Sequence, residues 1–322
     1  MSEIPGQHLT AEAPAANSEL PSIAIVTPSF NHAVYVGATV RSVLEQDYPK
    51  LDYWVIDGNS TDATLEVLHR YGRALQWITE PDRGQADAIN KGFRMAKGDV
   101  LGWVNSDDRL SPGALRHIGE IFAAEPHTGV VYGDAEFIDA DGNFIAPCAH
   151  IEPFDRQRLM GVSDFLVQPA VFFRRSLFDA VRGLDASLHW AMDYDLWLKL
   201  SGVAKFRYTP RVLAQYRWLE SSKTAAAGWN RLREVESVSR RYGGRGLPAY
   251  FRLEAARLHL IEIGKSLKRV RLHHAIEHAL RGAGVVLGSS SAVRSLFSAR
   301  TWKIIRTGRQ LRRRSRELRE SS

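Results

Sequence analysis

Strands alternate with helices in the first 110 residues, and this alternation constrains the fold more than any other feature of the chain. Short apolar runs at residues 22–27, 52–56, 75–79 and 100–104 are typical of buried strands. Segments in which apolar residues recur at helical spacing lie between them, at 34–46, 62–71 and 85–96. Such strand-then-helix units predict a doubly wound, parallel sheet with right-handed crossovers.

Each of these strands runs directly into a polar stretch. The stretches are TPSFN at 27–31, DGNSTD at 57–62, EPDRGQAD at 80–87 and NSDD at 105–108. Because the carboxyl ends of parallel strands meet at one edge, where open α/β sheets bind nucleotides, we expect a shared site. Asp107 and Asp108 match the one or two carboxylates that hold Mg²⁺ against phosphates, although an isolated Asp pair is more often a turn or helix cap.

The other stretches suggest partners for a nucleotide. Asp57 can accept the imide N–H of uracil or thymine, or form an Asx turn with Gly58, which is compatible with binding. Arg83 and Gly84 open a helix and can bring a guanidinium and backbone N–H groups near phosphates.

The alternation loosens after the fourth strand. We predict a helix at 115–124, a strand at 129–139, a loop over the site at 144–163, a strand at 170–174, a helix at 193–201 and two short strands within 205–216. From Lys223 onward the pattern is helical. The predicted domains are a disordered leader at 1–21, a catalytic domain at 22–222, a helical appendage at 223–290 and a basic amphipathic helical tail at 291–322.

Composition is that of a globular protein, with 44% hydrophobic residues and a single cysteine, Cys148, which excludes a disulfide framework. The first twenty residues have neither the basic nor the apolar region of a signal peptide, and no window has 18 apolar residues. We therefore expect a cytoplasmic protein.

The ordered combination of motifs resembles the inverting glycosyltransferases of family 2, which have the GT-A fold. The resemblance covers about residues 22–225 and extends to QPAVFFRR at 168–175, MDYDLWL at 192–198 and QYR at 215–217. It implies an α/β, doubly wound, mixed, mainly parallel sheet of the nucleotide-diphospho-sugar transferase type, with a C-terminal helical appendage. It also implies a nucleotide-diphosphate sugar as donor and Mg²⁺ or Mn²⁺ as cofactor.

The resemblance further implies roles for individual residues. Asp193 would be the catalytic base, for which the alternative is a plain helix N-cap. The nucleotide would be bound by Pro28, Asp57, Arg83, Asp87 and Asn105. The metal would be bound by Asp107 and Asp108, the sugar or acceptor by Gln168, Trp190 and Asp195 (a structural neighbour of the base), and the diphosphate by Arg217.

Two positions depart from the family pattern. Asn105 replaces the first Asp of the family's Asp-x-Asp metal motif, which removes one charge but keeps a carbonyl oxygen. Leu219 stands where many relatives have a His that would contact the metal or diphosphate. Arg217, Ser222 or Lys223 are the alternative phosphate partners.

The positive charge of the chain lies in its last residues. Residues 294–320 hold ten Lys or Arg and two Asp or Glu, whereas the remainder holds 33 basic and 34 acidic residues. Phe297, Ile304, Leu311 and Leu318 recur every seven residues among the arginines. This stripe suits an anionic membrane surface or packing on the preceding helices; RNA binding is a third option, but with little aromatic interleaving we expect no nucleic acid partner.

The function expected is transfer of a sugar to a hydroxyl of a glycan or lipid-linked acceptor, in surface polysaccharide or lipopolysaccharide synthesis at the inner face of a membrane. Inversion requires a carboxylate to take the acceptor's proton while a metal offsets charge on the leaving diphosphate. One rival is a sugar-phosphate nucleotidyltransferase, whose glycine-rich, basic signature is missing after the first strand. The other is a catalytically degenerate domain that binds nucleotide-sugar or acts as a scaffold.

Overall fold

The computed structural model describes residues 19–219, 223, 227–268 and 281. Most of the predicted leader, the end of the predicted appendage and the whole basic tail lie outside these residues. Within them, no helix is both long and apolar enough to cross a bilayer.

The described residues form nine strands in one sheet. The strands are β1 (Ile23–Ser29), β2 (Leu51–Asp57), β3 (Gln76–Thr79), β4 (Val100–Trp103), β5 (Arg109–Leu110), β6 (Thr128–Ile138), β7 (Phe144–Pro147), β8 (Val171–Arg174) and β9 (Lys205–Arg217). Their order is β3-β2-β1-β4-β8-β6-β9-β5, with β7 paired to β6. The ladders among β3, β2, β1 and β4 and the ladder between β6 and β9 are parallel, and the shorter ladders of β5, β7 and β8 are antiparallel.

Helices connect the strands and cover the sheet. They are α1 (Ala33–Leu44), α2 (Thr64–His69), α3 (Gln85–Met95), α4 (Ala114–Ala124), α5 (Arg156–Gly161), α6 (Arg175–Ala180), α7 (Met192–Leu200), α8 (Gly228–Arg241) and α9 (Ala249–Lys268). Short 3₁₀ turns occur at Gly72–Ala74 and Gln168–Ala170. Every residue of β1 and β4 is buried, as expected for central strands covered on both faces.

A stack of two indoles joins the sheet to helix α7. Trp103, the last residue of β4, and Trp197 have ring centroids 5.5 Å apart and planes 20° from parallel. Both side chains are fully buried, and Phe173 of β8 contacts both rings edge-on. Because aromatic burial of this size contributes strongly to a core, the strand that leads to Asn105 and the helix that carries Asp193 are held as one unit.

The strands and helices of the first 110 residues lie where the sequence predicted them, with one correction. Strand β1 does not end before Pro28; it continues to Ser29, with Pro28 paired to Ile56. Strand β4 pairs with β1 only as far as Val26. At Pro28 the strand therefore has a neighbour on one side, where a missing N–H is tolerated.

Two further predictions for the rest of the chain were wrong, and two elements were missed. Residues 144–163 are not a loop throughout, since they contain β7 and α5. Residues 205–217 form one strand rather than two, because shifts in register opposite Gly133 and Asp134 absorb Pro210 without ending the strand. Strand β5 and helix α6 were not predicted.

Candidate active site

The carboxyl ends of β1, β2 and β4 meet at one edge of the sheet, and the predicted polar stretches lie there. Gly58 N donates to Ser29 O at 2.8 Å, which joins the exits of β1 and β2. Gln85 Nε2, at the start of α3, donates to Asn105 Oδ1 at 2.7 Å after β4. The topology therefore gathers the motifs as the strand alternation predicts.

Asp57 connects the strand exits at this edge of the sheet through hydrogen bonds of its buried carboxylate. Its side chain is fully buried, and its oxygens accept hydrogen bonds from Ser60 N at 2.8 Å, Ser60 Oγ at 2.5 Å and Thr79 Oγ1 at 2.8 Å. Ser60 Oγ in turn accepts from Asn31 N at 2.8 Å. Asp57 bonds the N–H of Ser60, three residues on, rather than forming an Asx turn with Gly58, and it ties together the exits of three strands.

Phe30 is the residue that the sequence analysis missed at this edge. Its ring follows β1 directly and is 60% exposed, whereas Pro28 is buried within the strand. A methyl group added at Gly58 would lie 3.5 Å from Phe30 and 2.7 Å from Asp82 Oδ2. Only glycine at position 58 therefore allows Asp82 and Phe30 to approach this closely, and the exposed aromatic just after a strand was the available signal.

The loop before α3 presents a guanidinium to solvent. Arg83 is 80% exposed and pairs with Asp87 at 3.1 Å, and this pairing raises the pKa of Arg83 and lowers that of Asp87. Gly84 adopts φ 113°, a backbone conformation that residues other than glycine rarely adopt. Its N–H donates to Asp82 Oδ1 at 2.8 Å. The loop leaves Arg83 free to turn toward an anion.

Asp107 and Asp108 have different surroundings. Asp108 is buried, and its carboxylate accepts hydrogen bonds from Arg217 N at 2.9 Å and Asn105 Nδ2 at 3.1 Å. Burial and the neighbouring charge of Asp107 raise the pKa of Asp108 well above its usual range. Burial also raises the pKa of Asp107, while the charges of His32 and Arg217 oppose this shift. Asp107 is therefore the better metal ligand of the two.

Asn105 is the centre of a polar network. Its oxygen accepts from Gln85, and its amide nitrogen donates to Asp108 and to Gln168 Oε1 at 3.0 Å. Gln168, 7% exposed, donates onward to Trp103 O at 2.7 Å. An Asp at position 105 would have no donors for these contacts, so the departure from the family motif has a local physical reason.

Arg217 lies beneath the loop that carries Asp107 and Asp108, and its side chain does not extend into the open cleft. Its side chain is fully buried, its Nε donates to Asp107 O at 2.8 Å, and its Nη1 donates to Asp139 O and Ala140 O at 2.5 and 2.7 Å. The guanidinium also stacks over Tyr35 at 4.8 Å. These contacts favour a role for Arg217 in holding the loop in place, rather than the predicted direct contact with the diphosphate.

Lys223 is the cation that the structure brings to the donor side. Its Nζ donates to Gln85 Oε1 at 3.2 Å, and it interacts electrostatically with Asp193. Leu219 is half-buried beyond the end of β9, and Ser222 lies outside the described residues. Among the described alternatives, Lys223 is therefore better placed than Arg217 to meet a diphosphate.

Asp193 is the second residue of helix α7, which packs against β4 through the stacked Trp197 and Trp103. It is half-buried, and its Oδ1 accepts from Tyr194 N at 2.8 Å. Burial raises its pKa, and the charges of Arg231 and Lys223 oppose this shift. A carboxylate with raised proton affinity at a cleft is suited to accepting a proton.

Two residues near Asp193 complete this side. The pKa of Asp164 is raised well above its usual range by burial and by the charge of Asp193. Trp190 is half-buried, and its ring meets that of His189 at 5.6 Å, edge to face. His189 also lies close to Gly84, since a methyl group added there would be 3.8 Å from the His189 ring. The Trp190 segment therefore borders the donor loop.

Asp195 points away from this cleft. It is fully buried and accepts hydrogen bonds from Arg241 Nη1 at 3.0 Å and Tyr242 Oη at 2.9 Å, with Lys199 Nζ 2.9 Å from its other oxygen. These contacts join α7 to α8. They identify Asp195 as the structural neighbour of Asp193 and favour no direct contact with sugar or acceptor.

The donor set fits a hard divalent cation that shares its ligands with a substrate. Across the described ranges, no three His, Cys, Asp or Glu side chains converge on one ion position. The main-chain oxygen of Asp107 accepts from Arg217, while its carboxylate interacts with its own backbone N–H. Mg²⁺ is commonly held by one or two carboxylates together with phosphates.

Comparison with known proteins identifies the domain that carries this site. Residues 24–182 match the family described as glycosyl transferase family 2. This segment belongs to glycosyl transferase family 2. The family 2 segment includes all the strand exits of the donor side and ends ten residues before α7 begins.

Curated relatives of the family 2 domain include polysaccharide synthases. The chondroitin synthase of Pasteurella multocida (strain Pm70) is 30% identical over 196 residues, which are 60% of this chain and 20% of that protein. The hyaluronan synthase of Pasteurella multocida is 29% identical over 198 residues, 61% of this chain and 20% of that protein. The chain therefore spans about a fifth of the length of these relatives.

Solved structures share the fold. S. aureus TarS 1-349 in complex with UDP-GlcNAc matches with a TM-score of 0.57 and 17% identity, covering 92% of each chain. The mannosyltransferase PcManGT from Pyrobaculum calidifontis in complex with GDP-Man and Mn²⁺ matches with a TM-score of 0.55 and 18% identity, covering 98% of this chain and 92% of that chain. The predicted GT-A fold, with a mixed, mainly parallel sheet and C-terminal helices, is confirmed.

Proposed function

We propose that the protein is an inverting glycosyltransferase that moves a sugar from a nucleotide-diphosphate donor to a hydroxyl of a glycan or lipid-linked acceptor, with Asp193 as the base. The observation that carries this proposal is the stack of Trp103 on Trp197, which joins the strand before Asp107 to the helix whose first turn carries Asp193. Lys223 also links the two parts, since it donates to Gln85 on the donor side and interacts electrostatically with Asp193.

In this proposal, different residues of the donor side bind different parts of the nucleotide-diphosphate sugar. The Phe30 ring provides a face for the nucleobase, and Asp57 shapes the loop beside Phe30. Arg83 and Lys223 provide positive charge near the diphosphate. Asp107, next to Asn105, would hold Mg²⁺ or Mn²⁺, which supplies charge neutralisation for the leaving diphosphate.

The reaction follows from the position of Asp193. The acceptor hydroxyl attacks the anomeric carbon, the bond from that carbon to the diphosphate oxygen breaks, and the hydroxyl proton passes to the Asp193 carboxylate. Attack from the face opposite the leaving group inverts the configuration. Burial of Asp193 favours this step because it raises the affinity of the carboxylate for the proton.

The relatives support the class of substrate. TarS was crystallised with UDP-GlcNAc and the mannosyltransferase with GDP-Man and Mn²⁺, both nucleotide-diphosphate sugars. The chondroitin and hyaluronan synthases are named for polysaccharides. We therefore assign the acceptor to surface polysaccharide or lipopolysaccharide synthesis, with the protein at the cytoplasmic face of a membrane, bound to anionic lipid through residues 294–320.

A transfer assay with purified full-length protein tests this proposal. UDP-, dTDP- and GDP-sugars are supplied with Mn²⁺ or Mg²⁺ and a panel of glycan acceptors, and released nucleoside diphosphate is measured. We expect Asp193→Asn to lose at least ~100-fold in kcat while the Kd for nucleoside diphosphate stays unchanged. Asp179→Asn, an exposed carboxylate on α6, is the control and keeps wild-type turnover.

The second candidate is a catalytically degenerate domain that binds nucleotide-sugar or scaffolds an assembly complex, and Leu219 in place of the family's His favours it. The same variant separates the two functions. If the wild type binds nucleoside diphosphates, transfers no sugar, and behaves identically to Asp193→Asn, the scaffold function is correct and the transferase function is wrong.

A further inference from the structure

A carboxylate on α8 holds the backbone just ahead of the helix that carries Asp193. Glu234 Oε2 accepts hydrogen bonds from Trp190 N at 2.7 Å and Ala191 N at 3.1 Å, and its Oε1 accepts one from His189 N at 3.0 Å. Glu234 lies 45 positions beyond His189 in the chain. It is thus a long-range cap for the segment that enters α7.

The segment has no cap of its own. Ala191, the residue before α7, makes no side-chain cap hydrogen bond. The first N–H groups of a helix have no partner within the helix, and a carboxylate there is favoured by charge-assisted hydrogen bonds and by the helix dipole. Glu234 supplies both, and it does so immediately before Asp193.

Helix α8 is itself fixed against the segment that Glu234 holds. Arg241 Nη1 donates to Asp185 Oδ2 at 2.9 Å and to Asp195 Oδ1 at 3.0 Å, one on each side of Asp193. The apolar face of α8 is buried through Leu232, Val235 and Val238. Glu234 is therefore presented by a rigid element whose ion pairs bracket residues 185–195.

We propose that Glu234 is a positioning residue for glycosyl transfer. By fixing the backbone at Trp190 and Ala191 it fixes the first turn of α7, and so sets where the Asp193 carboxylate meets the acceptor hydroxyl. The inference rests on the proposed role of Asp193 as base. Small displacements of a catalytic group reduce the rate steeply, whereas Asp57 and Asn105 on the donor side are held by hydrogen bonds that do not involve Glu234.

The experiment compares Glu234→Ala with Glu236→Ala in the full chain. Glu236 lies on the same helix, where it forms an exposed pair with Arg240 at 2.9 Å. We expect Glu234→Ala to lower kcat at least ~10-fold and to change the Kd for nucleoside diphosphate by a smaller factor, since Glu234 also interacts electrostatically with Lys223. Amide hydrogen exchange of residues 189–191 will accelerate in this variant alone. Glu236→Ala will match the wild type in both measurements.

Glu234→Gln keeps one carbonyl oxygen in place of the carboxylate, and it carries the test if Glu234→Ala does not fold. We expect its kcat and its exchange at residues 189–191 to fall between those of the wild type and Glu234→Ala. A merely structural residue would lower the melting temperature without changing kcat per folded molecule. Wild-type kcat in both Glu234 variants, or unchanged exchange at 189–191, would overturn the inference. Failure of the wild type to transfer sugar would instead refute the proposed function.

Discussion

Arg241 and Asp195 form an ion pair at 3.0 Å although they lie 46 positions apart in the chain. Asp195 is fully buried in α7, two residues after Asp193, and Arg241 is the last residue of α8. Helix α8, which lies beyond the family 2 segment, is therefore fixed by an ion pair to the helix that carries Asp193.

Removing the guanidinium of Arg241 tests this packing. We expect Arg241→Ala to lower the free energy of unfolding by about 1–3 kcal/mol, because Asp195 loses a charged donor while Tyr242 and Lys199 remain. Urea denaturation measures the change. The matched control is Arg240→Ala, which breaks an exposed pair with Glu236 and should cost less than about 0.5 kcal/mol. Equal losses in the two variants would contradict the assignment.

The metal dependence of nucleotide binding is predicted to reside in Asp107. Ligands that bind only the folded state raise the melting temperature, so nucleoside diphosphate should stabilise the wild type more with Mn²⁺ than without it. We expect Asp107→Asn to abolish the increment due to metal and to keep the metal-free stabilisation. Asp141→Asn removes an exposed carboxylate from the turn after β6 and serves as control. A metal increment that survives in Asp107→Asn would assign the ion to other residues.

Stacking on Phe30 is predicted to contribute to nucleotide affinity. We expect Phe30→Ala to raise the Kd for nucleoside diphosphate by about 5-fold, equivalent to ~1 kcal/mol of aromatic contact. Isothermal titration calorimetry provides the measurement. Val34→Ala is the control, since Val34 lies four residues further along and is 83% exposed. If both variants bind nucleoside diphosphate as the wild type does, the nucleobase does not stack on Phe30.

The pH dependence of turnover should report the pair of Asp193 and Asp164. Because burial raises the pKa of Asp193, kcat/KM should fall as the pH decreases through a range above that of an ordinary Asp. Repulsion between carboxylates is mutual, so Asp164→Asn should move this acid limb to lower pH. A limb that stays in place would show that the two groups titrate independently.

Stability gives an independent check on Asp164. A carboxyl whose folded pKa is raised stabilises the protein below its unfolded pKa, and this contribution is lost as pH rises through the folded pKa. Asp164→Asn should therefore be more stable than the wild type at neutral pH, with the difference shrinking on acidification. Asp179→Asn, which changes an exposed carboxyl, should show no such trend.

Membrane binding through the basic tail is testable in the full-length protein. We expect co-sedimentation with vesicles that contain phosphatidylserine but not with neutral phosphatidylcholine vesicles, and release of the protein by high salt. Replacing Arg309, Arg312 and Arg313 with Gln should weaken binding by about 1 kcal/mol for each charge near the surface. Binding that ignores lipid charge, or that survives these substitutions, would refute the electrostatic part of the proposal.

The sequence predicted the donor side well because that side is local. Each of its strands is followed within a few residues by the polar group it delivers, and parallel strands bring those groups to one edge. The helix start after Gly84 was readable for the same reason. Asp107 could be separated from Asp108 only by structure, since burial and the contacts of Arg217 N distinguish the two.

The acceptor side could not be predicted, because its contacts join distant parts of the chain. Glu234 lies 45 positions from His189, and neither position carries a pattern that points to the other. Arg217 was assigned to the diphosphate from its motif, but its burial beneath Asp107 and Asp139 depends on β9 pairing with β6 along its whole length. The resemblance separated Asp193 from its structural neighbour Asp195, but the partners of Asp195 in α8 and at Tyr242 could not be read from the sequence.

The amide of Asn105 makes its replacement by the Asp of the family motif unfavourable. An Asp there would present only acceptors to the Asp108 carboxylate and to Gln168, whose own amide nitrogen is already committed to Trp103 O. Because the contacts with Asp108 and Gln168 use the amide nitrogen of Asn105, an Asp at this position alone would weaken the loop that carries Asp107. The amide is therefore a working part of the hydrogen-bond network at this edge of the sheet.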